Sequence, residues 1–257
     1  MQTVLGKSIL EQIAVGRLSF YHRFMPPPPV YTQYHWRQEL GRFYWAQQSA
    51  IADLEQLYSR ALAQVGEGVA SIFKIHILLL EDQDYMSSIR ALIQERNITA
   101  EHAVELVELT FSTIFSDMDN PYMKARAADI RDISHHMLHT LMGSRPRLTM
   151  EAPAILVSDS FLPSDVMAFD RQHLLGLIAQ KGSLNSHTAM LLRAYHIPTI
   201  VEADLSQQWE GHLALMDGYT GTIYLDPQPS QQDSLRMRYQ AMGCPVPYPS
   251  LAASAKG

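Results

Sequence analysis

The feature that most constrains the fold is a long block, from Tyr34 to about Gly143, in which apolar residues recur at helical spacing. Its first segment, Gln38 to Val65, places leucine, phenylalanine and alanine three or four positions apart, which predicts an amphipathic helix. Further helices are predicted within residues 70–80, 85–95, 99–115 and 121–142. Amphipathic helices with short connections bury their apolar faces against one another, so the block predicts an all-helical bundle.

Residues on both sides of this block follow a different pattern. Pro26 to Pro29 precede it, and the segment from Gly143 to Pro153 follows it; both predict connectors. The stretch from Ile13 to Tyr21 predicts a strand, and after Pro153 strand and helix patterns alternate, which is typical of an α/β domain. The later strands are predicted at residues 154–158, 174–180, 199–201, 213–217 and 222–226, with a short helix at 163–170. The two connectors lie where a discontinuous α/β domain would leave and rejoin the chain.

A histidine stands where a loop becomes a helix in the segment from Lys181 to Val201. Small polar residues lead into His187, and Asn185 or Ser186 can cap the helix that begins there. A helix start supplies N–H groups and a positive dipole end, which suit a phosphate or a carboxylate. The residues alone leave two interpretations open. His187 is either a nucleophile that holds an anion at the helix start or a capped surface histidine, the commoner role for an arbitrary histidine.

Three stretches resemble the phosphohistidine region shared by Enzyme I of the bacterial sugar phosphotransferase system and its pyruvate phosphate dikinase relatives. The histidine segment matches the family's Ser-His-Thr and following strand at Gly182, Ser186, His187, Thr188, Pro198, Ile200 and Val201. Ser71 to Asp82 is similar to the family helix Ile-Phe-x-x-His-x-x-Leu-Leu-Glu-Asp. Tyr122 to Ile133 is similar to Tyr-x-x-Glu-Arg-Ala-Ala-Asp-Val-Arg-Asp-Ile. The resemblance covers nearly the whole chain, roughly Leu5 to Gln240.

The resemblance implies a specific architecture. It is an α/β swivelling phosphohistidine domain, discontinuous in sequence, with an inserted all-α helical-bundle domain. Residues 1–21 and 146–240 would form the phosphohistidine domain, residues 22–145 a helical, HPr-docking-like domain, and residues 241–257 a linker stub. In the family a C-terminal barrel carries the phosphoenolpyruvate and magnesium sites, and this chain ends where that barrel would begin, as a fragment or as a natural short form.

The resemblance also implies a function, that of a phosphoenolpyruvate-protein phosphotransferase. His187 would carry the phosphoryl group, received from phosphoenolpyruvate through the barrel and passed to a histidine of HPr or an HPr-like carrier. Gly182, Ser186 and Thr188 would bind or support the phosphoryl oxygens. No cofactor is expected in this chain, because magnesium belongs with the barrel. In the family the barrel also forms the dimer interface, so the resemblance implies that this chain alone is a monomer.

The helical block carries the residues that the resemblance assigns to partner binding. They are Ser71, Ile72, His76, Leu79, Asp82, Asp84 and Arg126. For His76, on an apolar helix, a structural role in the core is an equal alternative. Gly68 and Lys74 replace carboxylates of the family, which predicts weaker electrostatic steering of a basic carrier.

Departures from the family pattern keep a second class of function open. Ser183, Leu184 and Asn185 replace the usual Gly-Arg-Thr, and Leu162 stands where the family commonly has threonine. A docking or regulatory module that has lost phosphoryl transfer would tolerate these changes. The Enzyme I-like module of a dihydroxyacetone-kinase phosphotransferase protein is a further alternative.

Composition excludes other classes of function. The net charge is −6 and no basic block is present, which argues against nucleic acid as the main partner. Cys244 is the only cysteine, which excludes an intrachain disulfide and fits a reducing, cytoplasmic location. No apolar stretch is long enough for a membrane span. His135, His136 and His139 could suggest a metal, but we interpret them as a solvated helix face and expect no metal site.

Overall fold

The computed structural model describes residues 2–21, 31, 35–143, 150 and 152–241, and these form two units. The helical unit takes its residues from the ranges 24–147 and 162–168. The α/β unit takes its residues from the ranges 1–23, 148–161 and 169–257, so it is assembled from three separate parts of the chain. The predicted connectors around Pro26 to Pro29 and residues 144–149, and the predicted stub from 242 onward, lie outside the described residues.

The helical unit contains the five long helices that the apolar spacing predicts. They are α1 (Trp36–Val65), α2 (Glu67–Leu80), α3 (Gln83–Arg96), α4 (Ala100–Asp117) and α5 (Pro121–Leu141). Gly66, at φ +83°, separates α1 from α2, because glycine adopts a positive φ without strain. Thr99 caps α4 as predicted, its side chain accepting a hydrogen bond from the amide of His102.

The core of this unit lies along the apolar face of α1. Phe43, Ala46, Ala50 and Leu54 are almost fully buried, as the spacing predicts. At the N-terminal end, the carboxylate of Glu39 accepts a hydrogen bond from the amide of Ala100, at 3.0 Å, and Arg42 pairs with Glu39 and Glu101. The start of α4 is therefore held to α1 by polar contacts as well as by packing.

A sixth helix, α6 (Pro163–Ala168), also belongs to the helical unit, although the sequence prediction placed it in the α/β domain. The amide and hydroxyl of Ser164 both donate to the carboxylate of Asp132 on α5. Val166 is fully buried. The predicted domain boundary is wrong at this point, because a hydrogen bond between residues distant in sequence leaves no local pattern.

The α/β unit contains an eight-stranded sheet. Its strands are β1 (Gln2–Leu5), β2 (Lys7–Ser8), β3 (Ile13–Phe20), β4 (Ala154–Ser158), β5 (Leu174–Ala179), β6 (Thr199–Val201), β7 (Leu213–Asp217) and β8 (Thr222–Leu225). Their order is β1-β8-β7-β3-β4-β5-β6-β2, with β3, β4, β5 and β6 parallel to one another. The strands predicted after Pro153 are confirmed to within one residue.

The two ends of this sheet are joined through Gly6. Strand β1 pairs with β8 and β2 pairs with β6, yet only Gly6 separates β1 from β2, so the sheet curls round and closes on itself. A Cβ atom on Gly6 would lie 2.5 Å from Cγ2 of Ile200 and 2.6 Å from the carbonyl oxygen of Val201. Glycine is required because the backbone crosses β6 without room for a side chain.

Two helices complete the α/β unit, α7 (His187–Ala194) and α8 (Pro229–Ala241). Pattern alone did not predict β1, β2 or α8. The sequence of α8 is polar, and it is placed by Tyr239, which is buried in a cluster with Ile13, Val15 and Leu215. Among the described residues, none of the helices is long and apolar enough to cross a membrane.

Candidate active site

His187 is the first residue of α7, immediately after a loop that follows β5. We call residues Lys181 to Ser186 the histidine loop. Ala189, Leu191 and Leu192 of α7 are buried, which fixes the helix on the sheet, whereas His187 itself is half-buried. The imidazole of His187 therefore lies at the N-terminal end of a helix that is packed on the sheet, and part of its surface is open to solvent.

Ser186 caps α7, as the sequence predicts. Its hydroxyl oxygen accepts a hydrogen bond from the amide of Ala189 at 3.1 Å, with the extended backbone that an N-cap residue requires. The same hydroxyl donates to the carbonyl of Ser183 at 2.9 Å. Thr188, half-buried, lies in the first turn of the helix. The cap fixes the direction in which the first-turn N–H groups point.

The histidine loop is closed by its own hydrogen bonds. The amide of Ser186 donates to the carbonyl of Ser183 at 3.2 Å, and the amide of Asn185 donates to the hydroxyl of Ser183 at 3.3 Å. Ser183 and Asn185 are two of the positions that depart from the family pattern. Ser183, one of these departures, therefore supplies a hydroxyl and a carbonyl that close the loop in a tight turn.

Gly182 is required by close packing at the start of the loop. A Cβ atom there would lie 2.8 Å from Cγ1 of Val201, at the end of β6. Any larger residue would push the loop away from the strand. The structure shows close approach of Gly182 to a strand residue, and its role in supporting a phosphoryl group stays a prediction.

The end of β4 runs beside the start of the histidine loop. The amide of Gln180 donates to the carbonyl of Ser158 at 3.1 Å, and the amide of Lys181 donates to the carbonyl of Asp159 at 2.8 Å. The carboxylate of Asp159 accepts hydrogen bonds from the hydroxyl of Ser158 and the amide of Ser160. This carboxylate thus orders its own turn. Leu162, the other departure from the family pattern, is buried and belongs to the helical unit.

This arrangement suits the binding of an anion next to a nucleophile. The first-turn N–H groups of a capped helix attract phosphate oxygens through the helix dipole and direct hydrogen bonds. An imidazole nitrogen in the same turn can form a bond to phosphorus while these donors hold the oxygens.

The chain is similar to known proteins along most of its length. Two family models match, PEP-utilising enzyme, N-terminal, over residues 6–126 and PEP-utilising enzyme, mobile domain, over residues 150–221. The chain belongs to the PEP-utilising enzymes. A phosphoenolpyruvate-protein phosphotransferase from Geobacillus stearothermophilus is 34% identical over 211 residues, which cover 79% of this chain and 36% of that protein. The chain therefore spans about one third of the length of the curated relatives that it matches.

Solved structures show the same fold. A solution NMR structure of Enzyme I (nEIt) has a TM-score of 0.69 and 23% identity, covering 93% of this chain and 99% of that chain. The N-terminal domain of Enzyme 1 - Nitrogen has a TM-score of 0.60 and 23% identity, covering 93% of this chain and 98% of that chain. The predicted fold class, an α/β domain with an inserted helical bundle, is confirmed.

The residues predicted to bind a partner have different exposures. Asp82 and Asp84 are exposed, and the carboxylate of Asp82 caps α3 by accepting the amides of Asp84 and Tyr85. Ile72 is buried, so its side chain does not form part of the surface. The remaining surface residues, all half-buried, are Ser71, Leu79 and Arg126. Leu78, which the sequence prediction did not include, is 66% exposed beside Leu79.

His76 lies in the core of the helical unit, where the alternative interpretation placed it. It is fully buried between two carboxylates of α5, with Nε2 3.4 Å from Asp129 and Nδ1 3.4 Å from Asp132. Burial raises the pKa of Asp132, against the opposing effects of His76 and of the hydrogen bond from Ser164. His76 therefore connects α2 to α5 and is not available to touch a partner directly.

The three histidines of α5 are not a solvated helix face, and that interpretation is corrected. All three are half-buried. His135 lies 3.9 Å from Glu108 of α4, and His136 lies 3.7 Å from Asp53 of α1. His135 and His136 thus face carboxylates of neighbouring helices, which a pattern on one helix cannot reveal. Within the described part of the chain, no group of three histidine, cysteine or acidic side chains is placed to hold a metal ion.

Proposed function

We propose that His187 carries a phosphoryl group, and that the chain exchanges this group with a histidine of a small phosphocarrier of the HPr type. The observation that supports this most directly is the position of His187 in the first turn of a capped helix, next to an ordered loop. The curated relatives are phosphoenolpyruvate-protein phosphotransferases, a name that specifies phosphoenolpyruvate as the donor and a protein as the acceptor.

The chemistry needs no group beyond those of the two histidines and their surroundings. A ring nitrogen of His187 forms a bond to phosphorus as the P–N bond of the carrier breaks, and the electron pair of that bond returns to the carrier ring. The first-turn N–H groups of α7 stabilise the negative charge on the phosphoryl oxygens during this exchange. We propose that the exchange proceeds without a metal ion, so transfer should persist in the presence of EDTA.

Phosphoenolpyruvate is proposed as the original donor, used by a part of the relatives that the alignment does not cover. The chain matches only about one third of their length, so it is not expected to use phosphoenolpyruvate alone. Magnesium would belong to that other part. We also propose that this chain acts as a monomer in the cytoplasm; a dimer that persists on dilution, seen by sedimentation, would contradict the monomer.

The carrier is proposed to dock on the outer surface of α2 and the start of α3. Leu78 gives this surface an exposed apolar centre, and Asp82 and Asp84 give it negative charge at one end. Lys74 is paired with Glu67 at 2.8 Å, which neutralises charge at the other end. We therefore expect a carrier with a small apolar patch and few basic residues, whose binding weakens only modestly with salt.

The decisive experiment mixes the chain with ³²P-labelled phospho-HPr and follows acid-labile label on the chain. We expect label on the wild type and on His173→Ala, a matched variant of a partly exposed histidine in the same unit. His187→Ala should show none. Label that persists in His187→Ala would overturn the assignment. A folded wild type that binds the carrier without accepting label would favour the docking-module alternative.

A further inference from the structure

Arg193 occupies the last turn of α7, less than two turns after His187, yet its guanidinium reaches back to the histidine loop. Its Nη2 donates to the carbonyl oxygen of Leu184 at 2.7 Å. Side chains on a helix lean toward the N-terminus, so a long residue at this position can reach the segment that precedes the helix.

The same guanidinium also binds a third segment. Its Nε donates at 3.2 Å to the carbonyl oxygen of Ile9, in the turn that follows β2. Ile9 is buried, and its amide donates to the carbonyl of Thr199 on β6 at 2.9 Å. The chain of contacts from Leu184 through Arg193 and Ile9 thus ends on the sheet, which makes it a rigid support.

We infer that Arg193 is a positioning residue, which holds the histidine loop in the conformation that presents His187 for phosphoryl transfer. The expected effect on phosphoryl transfer rests on the proposed function. The contact between Arg193 and the loop does not depend on it. The loop is fixed at one end by Gly182 against Val201 and in the middle by Arg193 at Leu184. Without the second contact, the turn before the cap residue Ser186 loses its support from the sheet.

The two donors of Arg193 require the planar fork of a guanidinium. Arginine presents several N–H groups in a fixed plane and keeps its charge, whereas the lysine ammonium is a compact point charge. A simpler role for Arg193 is the favourable interaction of any cation with the C-terminal end of a helix. Lysine retains that role but cannot easily reach the carbonyls of both Ile9 and Leu184.

The test compares wild type with Arg193→Lys and Arg193→Gln, and with Arg17→Gln as a matched control. Arg17, on β3, also donates to a backbone carbonyl, that of Gly211 at 2.8 Å, but away from the loop. Amide hydrogen exchange by NMR on the unphosphorylated chain reports the loop directly. Exchange at Asn185, Ser186 and His187 should rise about tenfold in Arg193→Gln, as for the loss of one hydrogen bond.

Transfer from phospho-HPr is then measured on the same variants. Arg193→Gln should lower kcat by about tenfold to a hundredfold with an unchanged KM, since misplacement of reacting groups acts on the chemical step. The kcat of Arg193→Lys should lie between those of Arg193→Gln and wild type, and the kcat of Arg17→Gln should equal that of wild type. Unchanged loop exchange in Arg193→Gln would overturn the inference, as would wild-type behaviour of Arg193→Lys. If wild type accepts no label, the proposed function fails. The amide exchange data still show whether Arg193 holds the histidine loop in place.

Discussion

At the scale of single residues, the buried carboxylate of Asp217 fastens a helix that has little apolar surface of its own. Its Oδ2 accepts a hydrogen bond from the hydroxyl of Tyr239 at 2.9 Å. Its Oδ1 accepts the amides of Tyr219 and Thr220, in the turn between β7 and β8. The rings of Tyr219 and Tyr239 stack with their centroids 4.4 Å apart. Tyr239 therefore decides where α8 docks.

Tyr239→Phe should lower the free energy of unfolding by about 1 kcal/mol, because Asp217 loses one donor but retains two backbone donors. Burial, together with the bond to Asp217, raises the pKa of Tyr239 to about 12. A raised pKa means that this stabilisation is complete below the ordinary tyrosine pKa of about 10 and is lost as pH rises toward 12.

Urea unfolding of wild type and Tyr239→Phe between pH 8 and about pH 11.5 tests this. The difference between the two should shrink above about pH 10. Tyr224→Phe, a half-buried tyrosine of β8, is the control and should cost less at pH 8. A difference that stays constant up to the highest pH would contradict the role of the phenol.

At the scale of elements, the histidine loop packs closely against β6 where Gly182 meets the side chain of Val201. The side chain of Val201 is buried, so it cannot turn away into solvent. The loop, not the strand, would move if Gly182 acquired a side chain. The absence of one Cβ atom therefore allows the start of the loop to lie against the sheet.

Gly182→Ala should lower the rate of phosphoryl transfer to the chain about tenfold or more, because the added methyl group displaces the loop that precedes His187. Adding Val201→Ala removes the clashing methyl groups and should restore much of the rate. Single-turnover transfer from phospho-HPr measures both. If Gly182→Ala transfers at the wild-type rate, or if Val201→Ala gives no rescue, the packing argument is wrong.

At the scale of the whole molecule, the two units carry different parts of the proposed task. The exposed residues of the proposed docking surface belong to the helical unit, and His187 belongs to the α/β unit. Binding and chemistry should therefore be separable by mutation. The buried cluster of His76, Asp129 and Asp132 supports α2 from within, so its effect on binding would be indirect.

Leu78→Ser should raise KM for the phosphocarrier about tenfold, the effect of losing roughly 1.4 kcal/mol of binding, with kcat unchanged. Leu109→Ser is the matched control, since Leu109 on α4 is 65% exposed against 66% for Leu78. Steady-state transfer assays distinguish the two variants. Equal effects of both substitutions would show that Leu78 has no special part in docking.

Much of the fold could be read from the sequence, because the patterns involved are local. The period of apolar residues along α1 predicts its buried face, and Thr99 and Ser186 cap helices through hydrogen bonds to residues three positions away. His187 could be singled out by its place after such a cap, and the family resemblance turned that place into a candidate site.

Other structural features depend on contacts between segments that are distant in sequence. Closure of the sheet through Gly6, the contact of Arg193 with Ile9 and Leu184, and the docking of α8 through Tyr239 each join residues far apart in sequence. Burial likewise removed His76 and Ile72 from the surface. The sequence by itself determined most of the elements and singled out His187 as a candidate, since both depend on neighbours along the chain. The tertiary structure decided which side chains support that histidine, because hydrogen bonds and packing depend on proximity in space.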